Sequence, residues 1–88
     1  MSRREQWRKV LELELTRWAE KPYAQLKADL IEDQTYEVMF EEKAYQVEVT
    51  LVEDKDDHIH VVLSVDDGSV PASFWPESRS FIRKASLE

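Results

Sequence analysis

Tyr36-Glu37-Val38-Met39-Phe40, then Tyr45-Gln46-Val47-Glu48-Val49-Thr50-Leu51, then Ile59-His60-Val61-Val62-Leu63-Ser64-Val65: three runs in which an apolar residue returns at every second position. In an extended chain successive side chains point to opposite faces, so a period of two marks a strand with one face against a core. Three such strands with short links read as an antiparallel meander. The links are Glu42-Lys43 and the acidic turn Asp54-Lys55-Asp56-Asp57.

Register follows from keeping each apolar face together, because a slip of one residue turns every side chain over. On that basis Phe40 pairs with Tyr45, Val38 with Val47 and Tyr36 with Val49, and the second hairpin needs an odd-numbered loop. Asp67-Gly68 suits a two-residue turn, since glycine tolerates positive φ. It leads to an expected fourth strand that pairs Val65 with Val70, Leu63 with Ala72 and Val61 with Phe74. Pro71 lacks an amide and confines that strand to an edge. Pro76 to Lys84 is expected to form a short C-terminal helical turn, with an extended segment as the alternative.

Upstream, the period changes. Trp7, Val10, Leu11, Leu15 and Trp18 recur at three- and four-residue spacing, as on one side of a helix, and Ser2 with Glu5 fits a capping box. Leu11-Glu12-Leu13-Glu14-Leu15 alternates as a strand would, but strong helix formers dominate and no β-branched cluster competes. Lys21-Pro22 interrupts the helix, and Pro22 then starts a second one with Tyr23, Leu26 and Leu30 on one side. Glu14 falls inside the apolar arc. It is either paired with Arg17 one turn on or at an arc edge that meets a partner.

The expectation is therefore an α+β fold: an N-terminal helix or kinked helix pair on one face of a three- to four-stranded antiparallel meander. A chain of 88 residues has room for one domain, placed at 1–86, with Leu87-Glu88 read as a cloning remnant. The chain contains no cysteine, which excludes disulfides and thiolate chemistry. No run approaches a membrane span and the first residues are charged, so a cytoplasmic protein without membrane attachment is expected. The net charge of −7 is uneven: the Lys/Arg and Asp/Glu counts give +2 for residues 1–30, −10 for 31–68 and +1 for 69–88. That acidic centre argues against a nucleic-acid partner, which needs concentrated Lys and Arg.

With helices on one face, the other face is left to water and carries the candidate sites. Met39, Val52, Val62 and Trp75 are apolar where polar residues are expected, with His60 beside Trp75, so this group is the candidate interaction surface. Its expected covering is the chain's own tail, through Phe81 and Ile82, or a partner protein, self-association included. His58 and His60 point the same way and are candidate metal ligands, with Asp56, Asp57 or Glu48 supplying oxygens. Two half-exposed strand histidines beside an acidic loop is the simpler reading. Glu37 opposite Glu48 is a carboxylate pair of the kind acid–base enzymes use, though on a flat solvated face such a pair merely repels. Asp54 to Asp57 lacks the glycine and distal glutamate of a calcium loop, and a single glycine excludes a glycine-rich phosphate loop. No motif implies a cofactor. The functional expectation is a small acidic non-catalytic protein-interaction module, the alternative a metal-dependent or acid–base enzyme centred on His58, His60 and Glu48.

Overall fold

A computed structural model describes residues 3–66 and 77–85. The elements are α1 (Arg3–Ala19), α2 (Tyr23–Asp29), β1 (Gln34–Phe40), β2 (Lys43–Asp54), β3 (His58–Asp66) and β4 (Glu77–Lys84). The strands form one open antiparallel sheet in the order β1-β2-β3-β4, with the helix pair on one face. This is the α+β meander that the change of period foretells.

The break between the helices falls at Pro22, whose extended backbone (φ −72, ψ 163) places it just before α2. Its carbonyl still accepts from the Leu26 amide at 3.0 Å. Trp7, Val10, Leu11 and Trp18 of α1 are buried together with Leu26 and Leu30, against Tyr45, Val47 and Val49 of β2 and Ile59, Val61, Leu63 and Val65 of β3. The Trp7 indole donates to the Val65 carbonyl, and Arg83 of β4 donates to the Ala19 carbonyl. These two bonds pin both ends of α1 to the sheet, and the second also sets a cation at the negative end of the helix dipole. Because α1 packs chiefly on β3 and β4, and α2 on β3, the outer strand β1 lies at the margin of the helical cover. Its inward residues Tyr36, Val38 and Phe40 are accordingly only half-buried.

Glu14 is buried, at 5% exposure, and fully engaged. Its carboxylate takes Arg17 Nη1 at 3.0 Å and the Tyr36 hydroxyl, which in turn accepts the Trp18 indole N–H at 2.8 Å. Of the two readings left open for this residue, pairing with Arg17 is the one realised. Leu13 shows the converse, with 47% exposure on the outer side of α1.

Two pairings differ from expectation. In the first hairpin Phe40 pairs with Lys43, Val38 with Tyr45 and Tyr36 with Val47, two residues away from the expected register. A shift of two keeps every side chain on its face, so alternation cannot distinguish the two; turn geometry decides. The turn is Glu41-Glu42, with φ of 49 and 67, the left-handed pair of a tight hairpin that matches strand twist. The carboxylate pair disappears as a consequence: Glu37 faces Gln46, whose amide donates to it at 3.0 Å, and Glu48 faces Thr35.

Beside β3 lies β4, which pairs Val65 with Glu77, Val61 with Phe81 and His60 with Ile82, the places expected for Val70, Phe74 and Trp75. The helical turn expected from Pro76 to Lys84 is thereby replaced by its extended alternative. Residues 77–84 contain no proline, so every amide can donate, and they offer Phe81 and Ile82 to opposite faces. The Asp67-Gly68 turn, the stretch Val70 to Phe74 that was expected as a strand, and Trp75 lie outside the described residues. In the second hairpin the odd count is met by a bulge: Leu51 pairs with Val61 but Glu53 with His60, leaving Val52 unpaired between them.

Candidate functional site

The helix-free face is built by alternate residues of all four strands. Down its middle runs Val62, half-buried, with Thr50 on one side and Ser80 on the other. One pair further along, His60 sits between Glu53 of β2 and Ile82 of β4. Ile82 is 59% exposed, and Val52, pushed out by the bulge, is 56% exposed. The structure thus brings Val52, His60 and Val62 together, and adds Ile82 in the place beside His60 that was expected for Trp75. Tail residues therefore extend this apolar patch: Phe81 turns to the core face and Ile82 to the open one.

Met39, 65% exposed, stands apart. It is level with Ala44 of β2, six residues from Thr50 beside Val62. At the ~3.4 Å rise of an extended residue that is about 20 Å. Charged residues border the patch: the carboxylates Glu48 beside Ser64, Glu53 beside His60 and Asp57 at the turn, and the cation Lys84 opposite His58.

His58 is held rather than free. Its Nε2 lies 2.6 Å from Glu53 Oε1 and its Nδ1 2.8 Å from Asp57 Oδ1. Only imidazolium donates from both nitrogens, so this arrangement selects the charged ring and leaves no lone pair for a metal. The Glu53 and Asp57 hydrogen bonds raise the His58 pKa above its ordinary 6.5. Both carboxyls are in turn held below their ordinary values by the same ring. Glu48 lies beside Ser64, four residues along β3 from His60 and so about 13 Å away. The trio His58, His60 and Glu48 is therefore not assembled. Among the described residues, no three metal-ligating side chains are grouped as an ion requires.

A second feature lies at the elbow between the helices, where a groove of about 620 Å³ runs past Arg17, Trp18, Lys21, Asp29 and Tyr36. Its cations are already matched. Arg17 is paired with Glu14, and Lys21 Nζ sits 2.6 Å from Asp29 and 4.5 Å above the Trp18 ring. Desolvation and the Glu14 carboxylate push the Tyr36 phenol up to about 12. This is the chemistry of a satisfied polar seam closing the end of the core.

Sequence reasoning misses Ile82 as a member of the open face, since it expects a helical turn there, and misses Glu53 as the partner of His58. The alternation of Ser80-Phe81-Ile82-Arg83 was the available signal for the first. For the second there was none, since the bulge at Val52 is what turns Glu53 to the open face. Compared with known protein families, curated proteins and solved structures, the chain matches none.

Proposed function

We propose that this chain is a small, non-catalytic protein-interaction module whose docking surface is the helix-free sheet face. The observation that carries this reading is the group Val52, Val62 and Ile82, apolar side chains set around His60 on a face that no described helix covers. Exposed apolar residues grouped on one face gain free energy when a partner removes them from water. Glu48, Glu53 and Asp57 outnumber the two cations beside them, His58 and Lys84, so the rim is net acidic and gives that partner a sign: a basic surface with an apolar centre is complementary.

The test is capture on the immobilised chain, compared with a Val62→Ser, Ile82→Ser double variant whose fold is verified by circular dichroism. A basic protein retained by the parent, lost from the variant and released by rising NaCl supports the reading. Equal retention by the two chains, or retention indifferent to salt, refutes it.

A further inference from the structure

Among the described residues, the sheet order leaves β1 with a neighbour on one side only. A two-residue turn makes Phe40 and Lys43 the hydrogen-bonded pair that closes the hairpin, and pairing alternates from there. Val38, Tyr36 and Gln34 therefore direct their backbone groups toward β2, while Thr35, Glu37 and Met39 direct theirs outward. That is a row of three donors and three acceptors over about 14 Å. No turn, loop or cap hydrogen bond among the described residues reaches it.

Edge strands are ordinarily blunted by proline, lysine or a bulge. Gln34–Phe40 has no proline, lysine or glycine, and its pairing with β2 runs without a register shift. Along the same edge Tyr36, Val38 and Phe40 are only half-buried on the helical side, at the margin of the cover that α1 provides. Charge then limits what can pair there. Glu32, Asp33, Glu37, Glu41 and Glu42 lie in β1 or beside its ends, and Lys43 is the one basic residue between 31 and 54. Glu37 and Glu41 have neutral amides, Gln46 and Gln6, as hydrogen-bond partners. A second copy of this edge, paired antiparallel about Glu37, would set Glu37 against its own copy and bring Glu41 and Glu42 onto the partner's Asp33 and Glu32, so self-pairing in that register is repelled.

The geometry points to β1 as a strand-addition edge that receives an extended segment of a partner protein in which basic and apolar residues alternate. Residues opposite Thr35, Glu37 and Met39 place their side chains on the open face, where a lysine or arginine meets Glu37. Residues between them lie on the helical side and cover Tyr36, Val38 and Phe40. Main-chain hydrogen bonds give such a segment affinity and the alternation gives it register.

The edge is separate from the apolar patch around Val62, so the two readings fail independently. The probe is a synthetic peptide of alternating valine and lysine or arginine, about eight residues long to span the edge, added to the ¹⁵N-labelled full chain. The expected result is a set of amide shifts confined to 34–40, with slowed hydrogen exchange at Thr35, Glu37 and Met39. N-methylating the peptide amides that face the edge should weaken binding by about tenfold or more, and raising NaCl should weaken it further. Met39→Pro, which removes an outward amide only, should weaken binding, while Val62→Ser, Ile82→Ser should leave it unchanged. Shifts centred on Val62 and Ile82, equal affinity for the N-methylated peptide, or no binding at about 1 mM peptide would each overturn the inference.

Discussion

Replacing Glu42 by glycine should stabilise the protein, although it deletes every side-chain contact at that position. Glu42 has φ 67 and Glu41 φ 49, so two residues with a Cβ occupy the left-handed region in succession. Each such placement costs roughly 1–2 kcal/mol. Glycine removes that cost but gives the unfolded chain more freedom, which returns about 0.5–1 kcal/mol. The net gain is about 0.5–1 kcal/mol, and for a domain of this size that raises Tm by roughly 2–8 °C. Removing one of two adjacent carboxylates also relieves some repulsion, so Glu42→Ala serves as the control, with the charge deleted and the Cβ kept. The assay is thermal unfolding of the three chains followed by circular dichroism at one pH and ionic strength. The glycine variant should melt highest. If it melts at or below the alanine variant, the tight Glu41-Glu42 turn is wrong, and with it the two-residue register shift of the first hairpin.

Other consequences concern the polar seam, the helix tether and the histidine clamp. Tyr36→Phe removes the hydroxyl that joins Trp18 to Glu14 and should cost about 1–3 kcal/mol in urea unfolding; no change would mean the seam carries no stability. Because the folded Tyr36 pKa is raised, its contribution is complete below the ordinary value of 10.0 and is lost as pH rises toward about 12; a tyrosine titrating near 12 by ultraviolet absorbance is the check. Arg83→Met unties α1 from β4 and should cost about 1–2 kcal/mol, read as a lower midpoint in denaturant. His58, with its pKa raised, stabilises the fold below pH 6.5 and loses that contribution as pH climbs through its folded value. Glu53 and Asp57, with theirs lowered, contribute above their ordinary 4.5 and 3.8 and lose it as pH falls. The clamp is therefore strongest between about pH 4.5 and 6.5. Glu53→Gln should lower the His58 pKa in an NMR titration, and an unchanged value would remove Glu53 from the clamp.

The parts of this fold that were legible in the sequence are those governed by periodicity. Tyr36 to Phe40 and Tyr45 to Leu51 alternate, so their faces follow at once; Trp7, Val10, Leu11 and Trp18 define a helix side; Pro22 breaks it. What alternation leaves undetermined is any shift by an even number of residues. The first hairpin was misjudged for that reason, since the deciding turn is formed by two glutamates that carry no turn signature. β4 was misplaced because Asp67-Gly68 is a strong local signal, and pairing beside β3 was decided by donor supply and by Phe81 reaching the core. On the open face, Val52, His60 and Val62 could be named in advance because they break the apolar–polar alternation. The His58 clamp could not be, because it depends on a bulge whose position no residue in the chain announces.

The central claim is that the helix-free face is a docking surface, and photo-crosslinking tests it most directly. Ile82, 59% exposed on that face, is replaced by p-benzoylphenylalanine in one chain, and Leu13, 47% exposed on the outside of α1, in another. Both positions are apolar and accessible, and they differ only in the surface they report. Irradiated in native extract, the chain labelled at 82 should crosslink to a discrete basic protein, and the chain labelled at 13 should not. Crosslinks from 13 alone, or the same products from both positions, would contradict the account.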